Sequence, residues 1–195
     1  MFDNLIQKLS RLLCKGKEEE DIEVVAYGLG IIISLSILGV VILITALYFG
    51  KLIEAGLFCV VLLFLRRRIG GIHSKSYFHC MCLTYVTCFL AVGLNEIIQS
   101  YGSDLYSKLL LLIGALLILE FAPKDTENRK FDDEEKIIFR IKSLERLCFV
   151  ILCSYFLGLF SQRLSGIIDM AVFIQGTVII KKRRLLLWKR NLLKN

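Results

Sequence analysis

Ile31-Ile32-Ile33-Ser34-Leu35-Ser36-Ile37-Leu38-Gly39-Val40-Val41-Ile42-Leu43-Ile44 is the centre of a run, residues 24–49, that holds no Lys, Arg, Asp or Glu. A helix rises 1.5 Å per residue and the hydrocarbon core of a bilayer is about 30 Å thick, so about 20 such residues cross it. Residues 76–95 make a second run of that length, uncharged while His79 is neutral. Four shorter apolar runs, 52–65, 109–121, 147–160 and 164–180, need a snorkelling flank, local thinning or burial against neighbours to cross. The whole chain agrees with this reading. Its 195 residues are 56% hydrophobic with one proline, and the mean hydropathy is +0.66. That is more apolar surface than a soluble globule of this size can bury.

The formal charge is +7. Lys and Arg fall between the apolar runs and at the two ends, a placement that favours anionic lipid headgroups or an acidic partner over nucleic acid. If all six runs cross, every one of the 25 basic residues except Lys51, Lys108 and Arg163 lies on the same side. The positive-inside rule makes that side cytoplasmic, and omitting one crossing inverts everything downstream. The expected fold is therefore all-α: a polytopic membrane helical bundle of six transmembrane or re-entrant segments, with N- and C-terminal interfacial helices, in one domain over 1–195. Phe2, Leu5, Ile6, Leu9, Leu12 and Leu13 share a helical face, so residues 2–14 read as an interfacial amphipathic helix within a cytoplasmic N-terminus, 1–21, and not as a cleavable signal peptide. Residues 122–146 read as a cytoplasmic loop. In the basic tail, 181–195, Lys181-Lys182-Arg183-Arg184 is a stop-transfer flank that runs into an apolar, aromatic interfacial stretch, Leu185-Leu186-Leu187-Trp188.

The seven cysteines are odd in number and mostly lie inside apolar runs, which argues against a disulfide framework. One of them stands near both histidines of the chain, in Arg66-Arg67-Arg68-Ile69-Gly70-Gly71-Ile72-His73-Ser74-Lys75-Ser76-Tyr77-Phe78-His79-Cys80. A Cys–His pair is the minimum for a thiol nucleophile, because imidazole takes the thiol proton. On one continuous helix His73 and Cys80 would be separated by about 10 Å along the axis and could not bond. The pair works only if Gly70-Gly71 breaks the helix, leaving 66–75 as a catalytic loop that folds back over a new helix capped by Ser74 or Ser76. His79 points about 100° away from its neighbour Cys80 and is the weaker base. His73, His79, Cys80 and Cys82 match no zinc spacing, so no metal and no cofactor are expected.

Arg66, Gly70-Gly71, His73 and Cys80, in that order, resemble the accessory gene regulator B family of bacterial membrane peptidases, which process the propeptide of a quorum-sensing signal. A second stretch, Ala122-Pro123-Lys124-Asp125-Thr126-Glu127-Asn128-Arg129-Lys130, is similar to the family's Ala-Pro loop after the fourth apolar segment. It departs in one respect: the family commonly has a proline after the basic residues, where this chain has Phe131. The resemblance implies that His73 and Cys80 are the catalytic pair, with Arg66, Gly70 and Gly71 supporting. It implies a cysteine endopeptidase that removes the C-terminal tail of a short propeptide through a Cys80 thioester, and cyclisation of the retained part to a thiolactone or lactone. Arg129 and Lys130 would suit an acidic tail on that substrate.

The partners expected are the propeptide at the cytoplasmic interface and the lipid bilayer, with no nucleic acid and a homodimer left open. The resemblance makes the location a bacterial cell membrane, with both termini and the active site cytoplasmic. A small transporter or exporter without hydrolytic activity is the rival reading, and would use Asp169 or Glu120 along a pathway; a structural subunit of a larger complex is a third. Of the polar residues in or beside the apolar runs, Glu54, Asn95, Glu96, Glu120 and Asp169, the most embedded is Asp169, for which pairing between helices is expected before catalysis.

Overall fold

A computed structural model describes residues 2–14, 19–69, 77–101, 104–121 and 133–192. These form helices α1 (Phe2–Leu13), α2 (Glu19–Tyr48), α3 (Leu52–Ile69), α4 (Tyr77–Ser100), α5 (Asp104–Phe121), α6 (Asp133–Gly158) and α7 (Gln162–Leu192). The fold is all-α among the described residues, and each of the six apolar runs lies on its own helix, α2 to α7. Among the described residues two helices are long and apolar enough, by length and composition, to cross a membrane by themselves, Ile22–Tyr48 and Phe78–Ser100.

The helix ends follow local chemistry. Gly50 has φ 64°, the left-handed region open to glycine, and there Lys51 N–H donates to the Ala46 carbonyl (2.8 Å) and Gly50 N–H to that of Leu47 (3.1 Å). This Schellman pattern satisfies the last carbonyls of α2 and turns the chain directly into α3. Ser161 Oγ accepts from Leu164 N–H at 3.4 Å and so caps α7.

Three helices extend well into stretches expected to be loop or tail. α3 continues through Arg66-Arg67-Arg68 to Ile69, so the first residues of the expected 66–75 loop are helical. The reason is packing: Phe58, Leu62, Leu65 and Ile69 form one fully buried stripe that ties the end of α3 to the core. α6 starts at Asp133, inside the stretch expected to be a 122–146 loop. Asp133, Glu134 and Glu135 sit at its N-terminus, where negative charge is favoured, and no Gly or Pro interrupts the helix before Gly158. The separate C-terminal interfacial helix is also corrected. α7 runs unbroken to Leu192, because residues 180–192 contain no Gly or Pro and are mostly Leu, Lys and Arg, which propagate a helix readily.

α7 is the centre of the bundle and packs on α3, α4, α5 and α6. Every residue from 165 to 172 is buried, which explains how a short apolar run with Asp169 in it can be accommodated: its surroundings are other helices. Its most extensive partner is α5. A Cβ placed on Gly114 would lie 2.6 Å from the Phe173 Cα, and one on Gly176 2.7 Å from the Gly114 carbonyl oxygen, so the two backbones touch through paired glycines. Gly114→Ala must push α5 off α7 and should cost about 1–3 kcal/mol. Gly93→Ala, with open space around it, should be neutral or mildly stabilising. Thermal unfolding in detergent compares the two, and equal midpoints would show that the close approach is unimportant.

The opposite arrangement holds for α2. Ser34, Leu38, Ile42 and Ala46 are buried along an i+4 stripe, while Ile32, Leu35, Val40, Leu43, Ile44 and Leu47 are left uncovered. Apolar surface of this extent on the outside of a bundle is disfavoured in water, and with the two long apolar helices it marks a membrane-associated protein. α1 packs on α2 with Ile6, Ser10 and Cys14 buried and Leu9 and Leu12 exposed.

Candidate active site

Cys80 lies in the first turn of α4. Backbone N–H groups there have no intrahelical acceptor and carry the positive end of the helix dipole, so the position favours negative charge nearby. Thr84, Cys88, Ala91, Val92 and Asn95 form the buried stripe of α4, and Cys80, one turn before Thr84, continues its line. The thiol is half-buried, whereas Cys82 and His79 are exposed on other faces. Of the cysteines near the N-terminus of α4, Cys80 is thus the one on the line of the core.

Arg66 reaches this turn from the last turns of α3. Its Nη1 donates to Thr84 Oγ1 at 3.2 Å, and Thr84 Oγ1 donates to the Cys80 carbonyl at 2.9 Å. Sequence reasoning does not single out Thr84; its position four residues after Cys80, on the same face, is the signal available for it. Further down the same helix pair the Cys59 and Cys88 sulfurs are 4.0 Å apart. Arg146 on α6 joins the Arg66 end of α3 by donating to the Phe64 carbonyl at 2.7 Å and lying 4.7 Å from the centre of the Phe64 ring. His73, Gly70, Gly71, Arg129 and Lys130 lie outside the described residues, as do the capping candidates Ser74 and Ser76. Among the described residues no group of three or more His, Cys, Asp and Glu side chains is placed to hold a metal ion.

The far end of the bundle is polar in a different way. Lys108 Nζ donates to Asp169 Oδ2 (3.0 Å), Ser154 Oγ (2.9 Å) and Ser165 Oγ (2.7 Å), using all three of its hydrogens on α6 and α7. Ser154 donates to the other oxygen of Asp169, and the Lys108 ammonium lies 4.8 Å from the Tyr155 ring centre. Asp169 is fully buried, so the expected pairing between helices is met by Lys108. Arg163 pairs with Glu54 at 3.0 Å and with Glu96 at 3.4 Å, and Lys51 pairs with Glu96 at 2.6 Å. Asn95 Nδ2 donates to the Arg163 carbonyl at 3.0 Å, on the strip where a Cβ on Gly166 would strike the Asn95 side chain. Each of the three basic residues at this end, Lys51, Lys108 and Arg163, is therefore paired with a carboxylate of the same chain, and the Lys108 pair is the buried one.

The accessory gene regulator B family model matches residues 3–179. The chain belongs to that family. Its members serve accessory gene regulation, the processing of a quorum-sensing peptide. The chain is 30% identical to the protein FsrB of Enterococcus faecalis over 142 residues, 71% of this chain and 56% of FsrB. It is 26% identical to the putative AgrB-like protein 2 of Clostridium perfringens over 146 residues, 68% of this chain and 67% of that protein. The match to FsrB thus spans little more than half of that relative's length. No solved structure matches the chain.

Proposed function

We propose that this member of the family is a membrane cysteine endopeptidase that cleaves the C-terminal tail from a short signal propeptide and passes the remainder on to cyclisation. The observation that carries the reading is the placement of Cys80: a half-buried thiol in the first turn of α4, on the core-facing line, with the Arg66 cation linked to the same turn. His73 takes the thiol proton and Cys80 attacks the scissile carbonyl. The amine of the tail leaves with that proton, and the acyl group stays on sulfur as a thioester. A nucleophile within the propeptide then displaces sulfur and closes a thiolactone or lactone ring. Exchange of one thioester for another is nearly isoenergetic apart from ring strain and closure entropy, which is modest for a short loop, so the step needs no ATP. Arg129 and Lys130, together with Arg146 and the exposed Arg67 at this end, suit an acidic tail. The test is co-expression with a short propeptide encoded nearby, read as a size shift on a gel; a propeptide that stays intact beside the wild-type enzyme and matures in its native host would sink the reading.

All six helices from α2 to α7 cross the membrane in this reading, with both termini and Cys80 cytoplasmic. The distribution of charge supports it: of the 25 basic residues, Lys51, Lys108 and Arg163 alone fall on the outer side. Tag or thiol labelling in whole cells should place Ser76 and Asn128 inside and Ser103 outside. External labelling of Asn128 overturns the six-crossing arrangement.

A further inference from the structure

We propose that Arg66, held in place by Thr84, takes up the negative charge that forms on the substrate carbonyl oxygen when Cys80 attacks. This rests on the thiol peptidase reading above. As the Cys80 sulfur bonds to the carbonyl carbon, the C=O π pair moves onto oxygen. That oxygen stays negative until the carbon–nitrogen bond breaks and the amine departs with the proton His73 removed from the thiol. A charge-stabilising donor aimed at this oxygen and fixed beforehand is among the larger contributions to such a reaction.

The geometry supplies both parts of that device. The guanidinium is planar and rigid, so fixing one nitrogen fixes the direction of the others. Nη1 is fixed by Thr84 Oγ1, and Thr84 is in turn fixed to the Cys80 carbonyl, so the cation and the nucleophile are referenced to the same helical turn. Nε is buried and has no hydrogen-bond partner among the described residues. A buried donor without a partner is costly, and the charge of the guanidinium acts on an oxyanion nearby without Nε itself touching the substrate. Thr87, nearly one turn further along α4, shows what an ordinary threonine does here: it bonds back to the carbonyls of Leu83 (2.8 Å) and Thr84 (3.0 Å) within its own helix. Thr84 makes the same kind of bond and also receives an arginine from another helix. Arg66 is thus a catalytic residue and Thr84 a positioning residue.

Two measurements on the full-length protein in proteoliposomes test this. The first is the propeptide processing rate, split into kcat and KM. The second is the ratio of alkylation rates at Cys80 for iodoacetate and iodoacetamide, read by peptide mass spectrometry with added glutathione as internal reference. Anionic iodoacetate reports the positive charge beside the sulfur; neutral iodoacetamide does not. Thr84→Val should lower kcat about tenfold with KM unchanged, because it frees the guanidinium to move. It should also lower the alkylation ratio at Cys80 by about fivefold, towards the value for Arg66→Gln. Thr84→Ser should restore both, and Thr87→Val should change neither. Thr84→Ala replaces the valine variant if that one fails to accumulate. Wild-type kcat and ratio after loss of the Thr84 hydroxyl, or losses that serine does not restore, overturn the assignment while leaving Cys80 as nucleophile. Processing that survives in Cys80→Ala overturns the peptidase reading itself.

Discussion

Cys80→Ala and His73→Ala should each abolish propeptide processing, by a factor on the order of 10⁴ or more, in a protein that still inserts and folds. The size follows from the role: without the thiol no acyl-enzyme forms, and without the imidazole the thiol proton has nowhere to go. Folding survives because Cys80 is half-buried at a helix start, outside the fully buried stripes that hold α3, α4 and α7 together. Cys82→Ala is the control, since Cys82 is exposed on another face only two residues away. It should process at close to the wild-type rate; a loss equal to that of Cys80→Ala would move the nucleophile. The same chemistry predicts a trapped intermediate. A propeptide whose internal nucleophile is replaced by Ala should still lose its tail, leaving the remainder on Cys80 as a hydroxylamine-sensitive adduct. Intact-mass measurement under mild acid detects that adduct, and rapid-quench samples with released tail but no adduct at any time would replace the thioester route by direct hydrolysis.

Lys108→Met is the substitution expected to cost most in stability, about 3 kcal/mol. It leaves Asp169 fully buried between α6 and α7 without its cation, and deprives Ser154 and Ser165 of a shared donor. The value stands at the lower end of the range for a broken buried pair because Asp169 can take up a proton and become neutral, keeping its bond from Ser154 or donating in return. Changing both partners, Lys108→Met with Asp169→Leu, should cost less than the sum of the single changes, since no orphaned charge remains. Thermal unfolding in detergent of the four proteins closes that cycle. Additive losses would mean that the two side chains do not act as a pair. Processing should fall only as far as the folded fraction falls, because this cluster is at the end of the bundle away from Cys80.

Residues 24–49 and 76–95 determined their helices by composition, because hydrocarbon-length uncharged runs have few other ways to satisfy their backbone. The bias of Lys and Arg between alternate connections and the order Arg66, Gly70-Gly71, His73, Cys80 were equally local signals, and the family that the second of them suggested is the one whose model matches the chain. The pairing of Asp169 was legible as a need, since an embedded acid is expensive without a partner. Its partner was not. Lys108 is 61 residues away in the chain, and only the parallel packing of α5 against α7 brings the two together. The same holds for Thr84: as one polar residue in an apolar helix it carries no message, and it acquires one when α3 sets the Arg66 guanidinium against it. The full lengths of α3 and α6 cannot be read from the apolar runs, because hydropathy marks where a helix is greasy and not where its backbone ends. Sequence alone determined which segments are helices and which thiol stands near a histidine; tertiary structure decided which charges are paired and which side chains bond to the helical turn that carries that thiol, because those contacts join residues that no local pattern relates.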